Sequence, residues 1–180
     1  MSTRAKGRPI DLTSNLLHAY AASARVNEYL VERLHPAVWR AKPPAPKMRP
    51  IAAIVAHLHN CALVYLRGAD PRAAVPPELD RHRVTQAAAV KALAAKRRAM
   101  LAVLPKVLER GGRVSGWPHN AVRFLAYYMV HDAQHRGQIL MLARLLGHPV
   151  SVETMSGMWQ WGARAREGLR GHRAAPSHPN

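Results

Sequence analysis

Residues 118–149 read PHNAVRFLAYYMVHDAQHRGQILMLARLLGHP, and this stretch decides the fold of the chain. Helix-compatible residues run from Pro118 to Leu146, and Gly147 and Pro149 then end the segment. One helical face carries Phe124, Tyr128, His131, His135 and Leu142. The pattern predicts a long helix whose two histidines point toward the interior of the protein.

Proline and glycine divide the rest of the chain into further helical segments. These segments cover about Asp11–Trp39, Arg49–Arg67, Arg83–Arg110 and, at the end, a short Met155–Leu169. The linkers between them include KPPAPK at 42–47 and GADPRAAVPP at 68–77, where proline removes backbone donors. No strand-like alternation competes with this pattern, so the sequence predicts an all-α four-helix bundle with a short C-terminal helix. We expect a disordered N-terminus at 1–10, a single bundle domain at 11–169 and a flexible tail at 170–180.

The chain is strongly basic. Its 180 residues include 27 Lys or Arg and 10 Asp or Glu, a formal net charge of +17 with all 11 histidines neutral. Such a charge predicts attraction to anions, so a basic helical nucleic-acid-binding protein is an alternative function. The basic residues are spread over all segments and form no recognised nucleic-acid-binding motif, which makes a nucleic-acid partner the weaker prediction.

Composition excludes several other classes. A hydrophobic content of 48% excludes a disordered chain, and the single cysteine, Cys61, excludes a disulfide framework or a cysteine-rich zinc ribbon. The apolar run Ile51–Ala56 ends at His57, far short of the roughly 20 residues that a bilayer helix needs. No signal-like apolar region follows the basic start of the chain. We therefore expect a cytoplasmic protein with no membrane partner.

Polar residues fall inside two of the predicted helices. The interior stripe of the first helix reads Leu16, Tyr20, Ser23, Asn27, Leu30 and Leu34. Its polar centre indicates either contacts to an interior site or a different helix register. In the third helix the apolar face is predicted as Val90, Ala94, Leu101, Leu104 and Leu108. The run Lys96–Arg98 is then expected on a solvated face, with Arg97 nearest the apolar stripe.

Histidine is the residue type most able to carry chemistry here. His131 and His135 are four residues apart, so both imidazoles share one helix face and can bind the same metal ion. The alternative is two core histidines that hydrogen-bond to carbonyls or carboxylates. A third ligand is expected from the apolar second helix, which carries His57 and His59. These two diverge by roughly 200° around the helix axis, so at most one can reach the site.

The stretch HDAQHRGQILMLARLLGHP resembles the signature of the DinB family, the DinB/YfiT-like putative metalloenzymes. The matching residues are His131, His135 and the following Arg136–Gln138. The segment IAAIVAHLHNCALVYL resembles the second helix of that family, and GMWQWGAR resembles its Trp-rich C-terminal segment. The resemblance extends over roughly residues 12–168. The family often has glutamate and histidine where this chain has Asp132 and Gln134.

The resemblance implies a four-helix bundle whose interior histidines bind a divalent transition metal: Ni, Zn, Fe or Mn. By this match the ligands are His57, His131 and His135, with His59 and Asn60 as flanking residues. Three histidines leave an open coordination position, which is typical of catalytic sites. The implied activity is that of a metal-dependent thiol S-transferase or hydrolase acting on a thiol or anionic small molecule. We also expect a homodimer, and a metal-free dimeric scaffold is a further alternative.

Other residues are predicted to have supporting roles. Gln138 shares the face of His135, and Arg136 is expected to tie its helix to a neighbour. Cys61 follows His57 by four residues and can approach the metal, although a lone buried cysteine is more often inert packing. A lid or part of a terminal core is predicted for Trp117, Trp159 and Trp161.

Overall fold

The computed structural model describes residues 10–111, 113–114 and 117–170, the last range without the side chains of residues 117–119. The predicted disordered N-terminus and flexible tail therefore lie outside the described residues, apart from Ile10 and Arg170. The predicted role of the Trp117 side chain lies outside them as well. The described helices are α1 (Leu12–Glu32), a 3-10 turn (Pro36–Val38), α2 (Ile51–Ala69), α3 (Gln86–Glu109), α4 (Ala121–Leu145), α5 (Val152–Trp159) and α6 (Trp161–Leu169).

Side-chain caps set the start of most of these helices. Asp11, Thr85, Asn120 and Ser151 accept hydrogen bonds from backbone amides three residues further on, at the first turns of α1, α3, α4 and α5. The first helix ends at Glu32, earlier than the predicted Trp39, and Pro36 begins the 3-10 turn that follows it. The predicted last helix is two helices that meet at Gln160.

The four long helices form the predicted all-α bundle. The carboxamide of Gln86 at the start of α3 donates to the carbonyls of Val31 and Leu34 at the end of α1, so these two helices are antiparallel. One core cluster joins the end of α1 with the starts of α2 and α3 and the end of α4. A second cluster joins the opposite ends of the same helices. The direction of the helices is therefore up, down, down, up.

The connection between α3 and α4 contains a small β-hairpin. Strands β1 (Arg113–Val114) and β2 (Trp117–Asn120) pair antiparallel and lead directly into α4. The hairpin is too short to change the all-α class of the fold.

The buried face of α3 differs from the predicted one. Ala89, Leu93, Met100 and Val107 are fully buried, whereas Val90, Ala94 and Leu108 are only partly buried. The prediction of a solvated Lys96–Arg98 face was wrong for its first two residues, since Lys96 and Arg97 are only 1% and 6% exposed. Both are buried because they meet acidic groups of other helices, and Arg97 donates to the Glu28 carboxylate at 2.7 Å.

The C-terminal helices cover α1 without forming the predicted tryptophan core. Trp159 and Trp161 are 76% and 42% exposed, so neither forms part of a terminal core, whereas a lid stays a prediction. Two glycines bring these helices close to α1 instead. Gly157 lies under the ring of Tyr29, and Gly168 lies against the backbone of Ala21. Small residues at both contacts allow the backbones to approach.

Helix α2 is long and apolar enough to cross a membrane by length and composition alone. In the structure 61% of its most apolar window is buried inside the bundle. The core helix of a globular bundle meets the same criterion. Its apolar surface therefore has protein partners, and among the residues buried from this helix are Val55, Leu58, Ala62 and Leu66.

Candidate metal centre

Helices α2 and α4 bring the three predicted histidines together. The ring centroids of His131 and His135 are 4.6 Å apart, as expected one turn apart on α4. The ring of His57, on α2, lies 4.8 Å from that of His135 and 5.5 Å from that of His131. Three imidazoles from two facing helices therefore lie side by side, although His57 is 74 and 78 residues away from the pair in the sequence.

The histidine pair lies at the edge of the buried stripe of α4, not in its middle. Phe124 and Tyr128 are buried as predicted, but the next interior position is occupied by Asp132, while His131 and His135 are half-buried. The prediction that the pair points into the bundle interior was therefore wrong. The two rings face His57 of α2, and His135 lines a cleft. This position leaves the imidazoles reachable from outside the core.

The electrostatic environment keeps His57 uncharged. Burial lowers the pKa of the His57 ring, and the neighbouring His135 and His131 lower it further. Arg49 acts in the same direction. A neutral imidazole has a free lone pair, which is the form of histidine that binds a metal.

The Nδ1 atoms of the two α4 histidines have different neighbours. The Nδ1 atom of His135 is 2.8 Å from Oε1 of Gln138, which accepts its proton and leaves Nε2 available. The Nδ1 atom of His131 is buried and has no hydrogen-bond partner among the described residues. The nearest charged atom is Oδ1 of Asp132, 3.7 Å away. The Nδ1 atom of His131 therefore faces the Asp132 carboxylate, whose Oδ1 atom also has no hydrogen-bond partner among the described residues. A hydrogen bond from Nδ1 to this carboxylate would leave Nε2 of His131 for a metal ion.

A buried polar network holds α4 behind the histidines. Asn27 donates to Oδ2 of Asp132 at 2.5 Å, and Arg136 donates to Oδ1 of Asn27 at 2.8 Å. Lys96 lies 3.7 Å from the same Asp132 oxygen. Burial by itself would raise the pKa of Asp132, but Lys96, His131, Arg136 and Asn27 together hold it below its usual value. Asp132 is therefore an ionised interior carboxylate.

This network accounts for the polar centre of α1. Ser23 and Asn27 are both buried, so the predicted register of the α1 stripe is correct. Their partners are side chains of α4, since Arg136 reaches the Ser23 hydroxyl at 3.5 Å as well as Asn27. Arg136 thus ties α4 to α1, as expected from its place next to the histidine pair.

The structure separates His57 from His59. His59 is completely buried, and its Nε2 atom is 2.9 Å from the carbonyl of Pro77. Asn60 forms two hydrogen bonds with the backbone of Leu79, at 2.9 and 3.0 Å. Both residues therefore fasten the 70–80 loop to α2, and His57 is the histidine of this helix that faces the α4 pair.

Cys61 lies beside His57, as its spacing on α2 predicts. Its Sγ atom is 3.3 Å from Nδ1 of His57. Ligand atoms of His57, Cys61 and His131 all lie within 4.8 Å of one another. Burial raises the pKa of the Cys61 thiol. The available signal was its spacing of one helical turn after His57, the same spacing that identified the α4 pair.

Two cavities open beside the histidines. One of about 660 Å³ is lined by His57, His135 and Gln138 together with Lys47 and Arg49. The other, of about 610 Å³, is also lined by His57 and Arg49. The walls of the second cavity also include Asn60, Asp80, Arg81 and His82. Cationic side chains thus surround the accessible face of His57.

A four-helix bundle with histidines from two facing helices belongs to the class of bundles that build ligand and metal sites between their helices. The family model of the DinB superfamily matches residues 19–139, about two thirds of the chain. The chain therefore belongs to the DinB superfamily. The match includes His57, His131 and His135 but not the Trp-rich segment near the C-terminus. No curated protein and no solved structure matches the chain significantly.

Proposed function

We propose that the chain is a metal-dependent enzyme whose divalent transition metal is held by His57, His131 and His135. The observation that carries this proposal is the convergence of three imidazoles, with centroids 4.6–5.5 Å apart, between α2 and α4. Ni, Zn, Fe and Mn all accept imidazole nitrogen, with the affinity order depending on the remaining ligands. Membership of the DinB superfamily supports the same assignment.

The donor set fits such an ion. His57 is kept neutral by burial and by its histidine neighbours, and Gln138 orients His135 through Nδ1. The buried Nδ1 atom of His131 lacks a protein partner among the described residues. A bound divalent metal would supply Lewis-acid activation of a thiol or a carbonyl group. The protein side chains would bind and orient the substrate around it.

The substrate that best suits the cleft is a small anionic molecule or an anionic thiol. Arg49 lines both cavities next to His57, and Lys47 and Arg81 add positive charge to their walls. Positive side chains at the mouth of a cleft attract and orient a carboxylate or phosphate group. A transfer or hydrolysis reaction on such a molecule is the proposed activity, and we propose that it takes place in the cytoplasm.

The test of the metal assignment is elemental analysis of untagged protein after reconstitution with Ni, Zn, Fe and Mn in turn. We expect one equivalent of at least one metal per chain, and we expect His131→Ala to abolish binding. His18→Ala is the matched control, because His18 lies on the exposed face of α1. Absence of metal after all four reconstitutions, or unchanged metal content in His131→Ala, contradicts the proposal.

The substrate class is tested with mercaptoacetate, an anionic thiol, on the metal-loaded protein. Arg49→Gln should weaken its binding by about tenfold, the effect of losing roughly 1.4 kcal/mol from one charged contact. Arg98→Gln is the control, because Arg98 is exposed on α3 and lines neither cavity. Equal binding by Arg49→Gln and the wild type would contradict an anionic substrate at this position.

A further inference from the structure

Cys61 lies next to His57 on α2. It follows His57 by one turn of α2, and its Sγ atom is 3.3 Å from Nδ1 and 3.6 Å from Nε2 of the His57 ring. Two ligands of one tetrahedral zinc ion, at bond lengths of about 2.1 and 2.3 Å, are themselves roughly 3.4–3.8 Å apart. The Cys61 and His57 donor atoms are therefore already close to the separation that a shared ion requires.

His131 completes the arrangement from the other helix. A ligand atom of His131 lies within 4.8 Å of both the Cys61 sulfur and a His57 nitrogen. Its Nδ1 atom is buried without a hydrogen-bond partner among the described residues. The Cys61 sulfur therefore forms a cluster with one ligand atom from each of His57 and His131, and is not an isolated cysteine.

We propose that Cys61 binds the metal as a thiolate, so that the site is three imidazoles and one sulfur. This inference rests on the proposed function, because it assumes that the histidines bind a metal. When the sulfur–metal bond forms, the thiol S–H bond breaks and its proton passes to solvent. The thiolate adds one negative charge to the ligands of the metal, and it changes which metal the site prefers.

A thiolate ligand alters what the site can do. Soft sulfur favours Zn²⁺ and Co²⁺ and disfavours Mn²⁺, which prefers oxygen ligands. Four protein ligands also close the position that a three-histidine site leaves open. A substrate thiol would then enter by expanding the coordination or by replacing Cys61, which is half-buried.

The test is Co²⁺ absorption of the untagged, reduced full-length chain. Wild type should show a near-ultraviolet thiolate-to-cobalt charge-transfer band together with the visible bands of a tetrahedral ion. Cys61→Ser should lose the near-ultraviolet band while still binding Co²⁺, with affinity reduced by at least the 10–100-fold that loss of an outer partner costs. His18→Ala should match the wild type, because its histidine is exposed on α1.

The outcomes separate this inference from the proposed function. Bound Co²⁺ without the near-ultraviolet band, or an unchanged band in Cys61→Ser, overturns the cysteine ligand and leaves the histidine site intact. Absence of bound Co²⁺, Zn²⁺, Ni²⁺, Fe²⁺ and Mn²⁺ in wild type overturns both. Should Cys61→Ser fail to fold, X-ray absorption of zinc-loaded wild type decides the question: sulfur scattering at about 2.3 Å supports the ligand, and a shell of only nitrogen and oxygen overturns it.

Discussion

Gln138 forms the hydrogen bond that orients His135, one of the proposed metal ligands. Its Oε1 atom accepts from Nδ1 of His135 at 2.8 Å, which fixes the tautomer and the ring orientation. Because Gln138 is exposed on α4, the contact can be removed without disturbing the core.

We predict that Gln138→Leu weakens zinc affinity by about 10–100-fold, the usual cost of removing the partner of a ligating histidine. Competition with a chromogenic chelator measures this affinity. Gln138→Glu keeps an acceptor at the same place and should retain most of it. Gln134→Leu, an exposed position on the same helix, is the matched control. Equal affinities for Gln138→Leu and Gln134→Leu would show that the contact does not orient the ring.

Asp132 is the residue on which the buried network behind the site depends. It is 1% exposed and lies 3.7 Å from Nζ of Lys96, which is equally buried. Removing one charge of a buried pair leaves the other without compensation.

Asp132→Asn should therefore lower the free energy of unfolding by about 3–5 kcal/mol. Urea denaturation of the metal-free protein measures the change. Since the cost arises from the stranded Lys96 charge, the double variant Asp132→Asn, Lys96→Met should be more stable than Asp132→Asn alone. Additive losses from the two substitutions would contradict a coupled pair.

At the scale of whole elements, α6 is held to α1 by close backbone contact. A Cβ atom added to Gly168 would lie 2.5 Å from the carbonyl oxygen of Ala21. The backbone carbonyl oxygen of Gly168 itself accepts a hydrogen bond from the buried Arg97 of α3. Three helices therefore meet at one glycine.

We predict that Gly168→Ala destabilises the protein by about 1–3 kcal/mol, because α6 must move away from α1. Gly137→Ala is the matched helical control. A Cβ atom at Gly137 meets nothing within 4 Å, and alanine is the better helix former by about 0.5–1 kcal/mol. Thermal unfolding followed by circular dichroism should move in opposite directions for the two variants. A Gly168→Ala protein as stable as Gly137→Ala would contradict the close contact.

The histidines of α2 and α4 show how much of the site could be predicted from the sequence of each helix. The spacing of His131 and His135 placed their rings together correctly, because helical periodicity is local. The choice between His57 and His59 could not be made, since α2 is apolar on nearly every side. The decision came from the 70–80 loop, whose Pro77 carbonyl contacts His59.

The buried face of α3 shows the same limit. Lys96 and Arg97 look like surface residues in the sequence, and only the distant Asp132 and Glu28 make their burial favourable. The residues around Lys96 and Arg97 in α3 are rich in alanine, so the sequence shows no clear apolar stripe that would identify the buried face of this helix. The break at Gln160 was also invisible, because neither proline nor glycine marks it.

At the scale of the whole molecule, α4 presents an unburied apolar stripe. Val130, Met141 and Leu145 are all more than half exposed and fall within one third of the helix circumference. Met141 also lines the larger cavity beside His57. We propose that a second copy of the chain packs against this stripe, which gives the homodimer expected from the family resemblance.

Light scattering coupled to size exclusion should accordingly give twice the 19.9 kDa chain mass. Val130→Asp should convert the protein to a monomer, because burying an unpaired carboxylate in an apolar interface is unfavourable. Leu12→Asp is the control, since Leu12 is 57% exposed at the start of α1, which lies at the opposite end of the bundle from Met141 and Leu145. A monomeric wild type, or a dimer unaffected by Val130→Asp, would contradict this interface.

The +17 charge is a further property of the whole molecule. A few of the positive residues have specific positions: Arg49 lines both cavities, and the buried Lys96 and Arg97 pair with acidic side chains of other helices. A net charge of this size otherwise favours solubility and nonspecific attraction to anions. The histidines that this count leaves neutral carry the proposed chemistry.

The central claim is that a metal lies between α2 and α4 at His57, His131 and His135. It is tested most directly by crystallography of untagged, zinc-loaded protein, with data collected above and below the zinc absorption edge. The account predicts one anomalous peak among these three rings that disappears below the edge. A peak only elsewhere, for example at the stacked pair His35 and His148, or no peak at all, would contradict it.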